Sequence, residues 1–127
     1  MVLQELFIKN PLHPDINSWI GAIERFHNHG ILNTVGIYRG FSVYPKTKYR
    51  YDPLWELLKV MKEKMPNLNI ILDPSHIAGD IKLIKEVIKS SKKFDLQGYM
   101  IEIHSNPKLA LSDSSQQIEA KNLSKYL

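Results

Sequence analysis

The sequence predicts an α/β fold built on a parallel sheet, and three observations carry that reading. Short apolar runs alternate with longer segments whose apolar residues recur at helical spacing. The runs are continuous rather than alternating, as strands covered by helices read. Each run with its helical segment takes roughly 30 residues, the scale of a strand-helix unit. Four such units suit either a small open parallel sheet or one half of an eightfold barrel, and periodicity does not choose between them.

Taken in order, Leu6-Phe7-Ile8 ends at Lys9-Asn10-Pro11, and Pro14-Asp15 opens a helix with Ile16, Trp19, Ile20, Ile23 and Phe26 at helical spacing. Asp15 or Asn17 supplies its cap and Gly30 its stop. Thr34 to Tyr38 is the second strand, ending at Arg39-Gly40, and Leu54, Leu57, Leu58 and Met61 form the stripe of the second helix. Asn69 to Leu72 is the third strand. It ends at Asp73-Pro74-Ser75-His76, before a helix with Ile81, Ile84, Val87 and Ile88 inward. Gly98-Tyr99-Met100-Ile101 runs as a fourth strand into Glu102-Ile103-His104. A loop through Asp113 and a polar, helical tail complete residues 1–127 as one domain.

Composition excludes several classes. Of 127 residues 43% are hydrophobic, with two Trp, six Tyr and four Phe to bury, so the chain folds around a core and is no disordered tail. No apolar run reaches the roughly 18 residues of a membrane helix, and Met-Val-Leu-Gln-Glu lacks the basic start of a secretory signal. The expectation is a soluble, cytoplasmic protein without a membrane partner. The absence of Cys excludes disulfides, zinc ribbons and a thiol nucleophile, so any metal site is built from His and carboxylates. The net charge of +4 comes from lysines scattered along helix faces. Without a basic stripe and interleaved aromatics, nucleic acid is not an expected partner.

Lys9, Arg39, His76 and Glu102 all fall at or just past the carboxyl end of an expected strand, the active-site edge of barrels and open parallel sheets. Glu102 and His104, two apart on the fourth strand, would point to one side, with His76 ending the neighbouring strand. Asp113 would fold back over the same edge. Such a set suits Mn²⁺, Fe²⁺, Co²⁺ or Zn²⁺. The residues alone leave a plainer reading open, in which Glu102 and His104 are hydrogen-bonded at a loop mouth and Asp113 caps the final helix. Lys9 and Arg39 would clamp a phosphate or carboxylate, Arg through its planar fork, or else face water as ordinary loop cations. Neither a Walker pattern nor a dinucleotide fingerprint occurs, and Gly40-Phe41-Ser42 is not a nucleophile elbow. His13, His27 and His29 read as surface or helix-end residues.

A set of motifs in fixed order goes further. Lys9-Asn10-Pro11, Trp19 to Arg25, Tyr38-Arg39-Gly40-Phe41-Ser42, Lys48-Tyr49-Arg50, Asp73-Pro74-Ser75-His76, Ile101 to Pro107 and Ala110-Leu111-Ser112-Asp113 with Gln116-Gln117 span nearly the whole chain. Together they resemble the C-terminal half of 3-deoxy-D-arabino-heptulosonate 7-phosphate (DAHP) synthase, closest to the branch often fused to chorismate mutase. The resemblance implies a (β/α)₈ barrel, here its four C-terminal βα units. It implies a metal-dependent condensation of phosphoenolpyruvate with erythrose 4-phosphate, the entry step of the shikimate pathway to aromatic amino acids. His76, Glu102 and Asp113 match three of the family's four metal ligands, with Mn²⁺ the leading candidate, and Lys9 and Arg39 match residues that hold phosphoenolpyruvate. In that mechanism the metal orients and polarises the aldehyde, or activates a water, while the enol carbon attacks; water adds at the adjacent carbon and phosphate leaves.

The chain departs from the pattern in lacking the family's cysteine ligand and the first four units with their phosphate-binding basic residues. Four units leave open sheet edges, so a complementary N-terminal half or a second copy is the expected partner. Tyr38 stands where other branches carry Glu, an altered neighbourhood beside Arg39. Two alternatives to the synthase remain: a non-catalytic half-barrel or inactive fragment, and another metal-dependent lyase using His76, His104 and Glu102 as a facial triad.

Overall fold

The computed structural model describes residues 5–127. Strands β1 (Leu6–Lys9), β2 (Thr34–Tyr38), β3 (Asn69–Leu72) and β4 (Gly98–Tyr99) form one sheet in the order β1-β2-β3-β4. Every pairing is parallel, and the register sets Lys9, Ile37, Ile71 and Gly98 side by side. Past β1, β3 and β4 the ladder gains one more bond: Asn10 N donates to Ile37 O, Asp73 N to Tyr38 O and Met100 N to Leu72 O. Sequential parallel neighbours joined by helices are what a barrel segment requires.

Helices α1 (Ile16–Asn28), α2 (Trp55–Lys64) and α4 (Ile81–Ser91) bury Trp19 and Ile23, Leu58 and Met61, and Ile84, Val87 and Ile88 in one core with Tyr38, Ile70 and Leu72 of the sheet. Asp15 starts α1 by accepting from Asn17 N at 2.9 Å, and the Ser18 hydroxyl on its other oxygen holds the carboxyl below its ordinary range. Gly30, at φ 82°, follows the end of α1. Trp19 is fully buried and donates from Nε1 to Ile8 O at 3.0 Å, tying α1 to β1. Truncating it to Ala would cost about 3–5 kcal/mol. By strand alternation Phe7, Lys9, Val35, Ile37 and Ile71 share the opposite face, which looks inward in a barrel; Phe7 is half exposed there.

Several expectations are corrected. His76 does not end a strand: it lies in a short helix, α3 (Pro74–Ala78), because Asp73 caps its N-terminus and Pro74 presets the first helical turn. The fourth strand stops at Tyr99. His104 instead belongs to β5 (Ile103–His104), which pairs in parallel with β6 (Ile118–Glu119) in a separate two-stranded sheet. No α-helix follows β4; the tail closes in a 3₁₀ helix, Ala120–Lys125. Leu54 precedes α2 with a left-handed backbone rather than joining its stripe, and Ile81 is partly exposed instead of inward.

Tyr38 points away from the strand-end opening, into the helix layer. It is fully buried between Trp19, Phe41 and Trp55, with ring centroids 6.1, 5.7 and 6.3 Å away. Its hydroxyl donates to Pro53 O at 2.6 Å, and burial pushes the phenol far above its ordinary range. It is a core residue of the helix layer.

Candidate metal centre

At the carboxyl edge of the sheet, helix α3 after β3, the segment after β4 and the loop between β5 and β6 bring three donors together. One ligand atom from each of His76, Glu102 and Asp113 lies within 4.8 Å of the others, and all three residues are half buried. Each is placed by a different local device. The Asp73 carboxylate, wholly buried, accepts from His76 N at 3.0 Å through one oxygen and from His76 Nδ1 at 2.7 Å through the other. An ionised carboxylate only accepts, so Nδ1 carries a hydrogen, and Nε2, 3.3 Å from Glu102 Oε1, is the ring nitrogen left to face the other donors. Glu102 sits beyond the end of β4. Its backbone is clamped on both sides, with its N donating to Ser75 Oγ at 3.0 Å and its O accepting from Ile118 N at 3.0 Å. Its side chain accepts from Gln116 Nε2 at 2.9 Å and, more weakly, from Gln117 Nε2 at 3.4 Å.

Asp113 adopts a left-handed backbone, φ 54°, and its carboxylate meets the Arg50 guanidinium at 2.7 Å. That pairing, more than any other contact, holds Arg50 above its ordinary range. Asp113 therefore does not cap the last helix, which has no side-chain cap. Arg50 in turn crosses Gly79, whose φ of 69° ends α3; a Cβ there would come within 2.5 Å of Arg50 Cβ. Only glycine gives both the left-handed turn and the clearance.

Two carboxylates and an imidazole oriented by Asp73 are a hard-to-borderline donor set suited to a divalent first-row cation. Two carboxylates at this spacing repel by on the order of 3 kcal/mol at a protein-like effective dielectric, before solvent screening. A cation facing both relieves that. The residues therefore fit the metal that the sequence reading expects. His104 takes no part: its Nδ1 accepts from Asn106 N at 2.9 Å, and no metal-holding group among the described residues includes it. The facial triad of His76, His104 and Glu102 is thereby excluded.

The two expected anion-binding cations share the same edge. Lys9 is the last residue of β1 and is exposed; Arg39 directly follows β2, two residues past Lys9's neighbour Ile37, so alternation puts both on the inward face. Sequence reasoning missed what holds Arg39. Asn10, completely buried, accepts from Arg39 N at 2.7 Å through its side chain and from Arg39 Nε at 2.8 Å through its backbone. Its amide also donates to Gly40 O at 2.8 Å. Arg39 is thus anchored at Nε, and its Nη atoms make no hydrogen bond among the described residues. The one hint in the sequence was a polar Asn between Lys9 and Pro11 at a strand end. Of the other histidines, His27 pairs with Thr34 Oγ1 and His29 with Arg25 O, at the end of α1 as expected.

Residues 4–127 match the model of the DAHP synthetase I family. The chain belongs to this family. It is 24% identical over 114 residues to phospho-2-dehydro-3-deoxyheptonate aldolase of Thermotoga maritima, a stretch that is 90% of this chain and 33% of that protein. The crystal structure of a DAHP synthase from T. maritima superposes with a TM-score of 0.86 at 20% identity, over 98% of this chain and 36% of that one. A truncated form of the T. maritima enzyme gives 0.87 at 21%, over 98% and 47%. The DAHP synthase relatives are (β/α)₈ barrels, and this chain has the fold of a half-barrel, spanning about a third of the curated relative's length. No helix among the described residues is long and apolar enough to cross a membrane.

Proposed function

We propose that this protein condenses phosphoenolpyruvate with erythrose 4-phosphate to DAHP, in a barrel completed by a complementary N-terminal half or by a second copy of the chain. The observation that carries the reading is the convergence of His76, Glu102 and Asp113 on the same sheet edge as Lys9 and Arg39, in a chain of the DAHP synthetase I family. Shared chemistry supports it: phosphoenolpyruvate carries a carboxylate and a phosphate, and the inward face offers an ammonium and an anchored guanidinium.

A divalent cation, Mn²⁺ in the first instance, would be held by His76, Glu102 and Asp113 and would act there as a Lewis acid toward the aldehyde oxygen. Lys9 and Arg39 hold phosphoenolpyruvate with its C3 toward the aldehyde carbon, so that one carbon–carbon bond forms between fixed partners. Water then adds at C2, and the C2–O bond to phosphate breaks. Across these steps the two cations face charge that concentrates on the departing phosphate, and their positions are set beforehand by β1, β2 and Asn10. The substrates are soluble phosphorylated metabolites, and we place the enzyme in the cytoplasm.

The test is loss of phosphoenolpyruvate absorbance when the full chain, with its barrel completed, meets both substrates and Mn²⁺. The expected result is turnover abolished by a chelator and by His76→Ala. Turnover that survives both removes the metal from the mechanism. A completed barrel that consumes no phosphoenolpyruvate refutes the synthase reading and leaves a non-catalytic module.

A further inference from the structure

Gln116 is a polar side chain with no exposure, far in sequence from the other site residues it touches. Its Oε1 accepts from Arg50 Nη1 at 2.8 Å, and its Nε2 donates to Glu102 Oε2 at 2.9 Å. The same Nη1 donates to Asp113 Oδ1 at 2.7 Å. The amide's orientation is forced, because a guanidinium only donates and an ionised carboxylate only accepts. A continuous hydrogen-bonded path thus runs from Asp113 through Arg50 and Gln116 to Glu102. It joins the two anionic members of the candidate metal centre on the side away from His76, since Glu102 turns its other oxygen to the imidazole.

We propose that Arg50 and Gln116 are positioning residues that form a brace between Glu102 and Asp113, holding the two carboxylates at ligating separation against their mutual repulsion before any cation arrives. This inference rests on the metal-centre reading above. The fold supplies the brace with its own supports. Arg50 N donates to Ile77 O at 3.0 Å, anchoring it to α3, and Gly79 leaves room for the side chain to cross. Ser115, the neighbour of Gln116, donates from its hydroxyl to Gly79 O at 2.8 Å, tying the segment after Asp113 to the same turn. The helix that carries His76 and the loop that carries Asp113 are therefore tied to the same turn. Partners that orient metal ligands in this way are worth 10–100-fold in metal affinity.

The brace makes a prediction of unusual sign. A guanidinium beside a cation site repels the cation, so a purely electrostatic role for Arg50 requires Arg50→Met to bind metal more tightly. A brace requires the opposite. Mn²⁺ binding is titrated against the full chain by the spin signal of the free ion, for wild type, Gln116→Met, Arg50→Met, Arg50→Lys and His76→Ala, with folding followed by circular dichroism. The expected result is a dissociation constant raised at least tenfold in Gln116→Met and Arg50→Met. Arg50→Lys should stay within a few-fold of wild type, because one ammonium still spans Asp113 and Gln116. Wild-type binding with Gln116→Met or Arg50→Met within twofold, or with Arg50→Met tighter, overturns the brace and leaves the metal centre standing. Absence of wild-type binding, or unchanged binding in His76→Ala, overturns the metal centre and the brace together. Arg50 is partly exposed, so its variants decide the matter even where a change at buried Gln116 unfolds the chain.

Discussion

Replacing Asp73 by Asn asks one side chain to do two incompatible things. In the native structure its two oxygens accept from His76 N at 3.0 Å and His76 Nδ1 at 2.7 Å. An amide of the same size has one acceptor and one donor end. With the oxygen on His76 N the cap survives, but the NH₂ faces Nδ1, driving the ring hydrogen to Nε2 and taking away the lone pair that would ligate. With the amide flipped, the imidazole keeps its tautomer while an NH₂ opposes a backbone N–H, and the helix cap is lost at about 1 kcal/mol. The first outcome weakens Mn²⁺ binding by about 10–100-fold, or roughly 1.4–2.8 kcal/mol. The second lowers the melting temperature by about 4 °C in a domain of this size. Titrating Mn²⁺ and recording a thermal melt on the same preparation separates the two. A variant that binds Mn²⁺ within twofold of wild type and melts at the same temperature refutes the assignment of Asp73 as the group that fixes His76.

Asn10→Ala removes the partner of the Arg39 amide and of Gly40 O, so stability should fall by about 1–3 kcal/mol. Phosphoenolpyruvate binding, followed calorimetrically below the melting range, should weaken by more than Mn²⁺ binding does. Tyr38→Phe leaves the Pro53 carbonyl without its donor in a sealed core, while the Leu54 carbonyl keeps Leu57 N. It should lower stability by about 1–2 kcal/mol in a denaturant titration while Mn²⁺ affinity stays unchanged, because Tyr38 faces the helices.

The first three strands and their helices were legible because each rests on local signals: an apolar run for the strand, then helical spacing, which in α1 follows Asp15, the residue that accepts from the helix's second residue. The region after β4 was not. Glu102 is placed by bonds from Ser75, Gln116 and Ile118, partners 14 to 27 residues away in the chain, and no local pattern encodes them. Extending the fourth strand through His104 followed from the apolar residues at Met100, Ile101 and Ile103, yet the ladder to β3 ends at Tyr99 and the chain turns to pair with β6. The helical placement of His76 was present in Asp73-Pro74, a cap followed by a proline at the first helical position, but the preceding apolar run drew the reading toward a strand end. Asn10 and Gln116 were missed as buried supports for a different reason: periodicity reports apolar burial, and a polar residue buried by its hydrogen bonds leaves no trace in it. The metal triad itself came through the ordered motifs, since spacing alone left Asp113 open to a capping role that its pairing with Arg50 excludes.

Whether this chain's own His76, Glu102 and Asp113 bind a cation decides between a metal centre and an inert sheet edge. Titrating Mn²⁺ into the full chain and into His76→Ala, with free ion read by its spin signal, measures that directly. One ion per chain in the wild type, removable by chelator and lost in His76→Ala with the fold intact, is the predicted result. Uptake that is absent in the wild type, or unchanged in the variant, contradicts it.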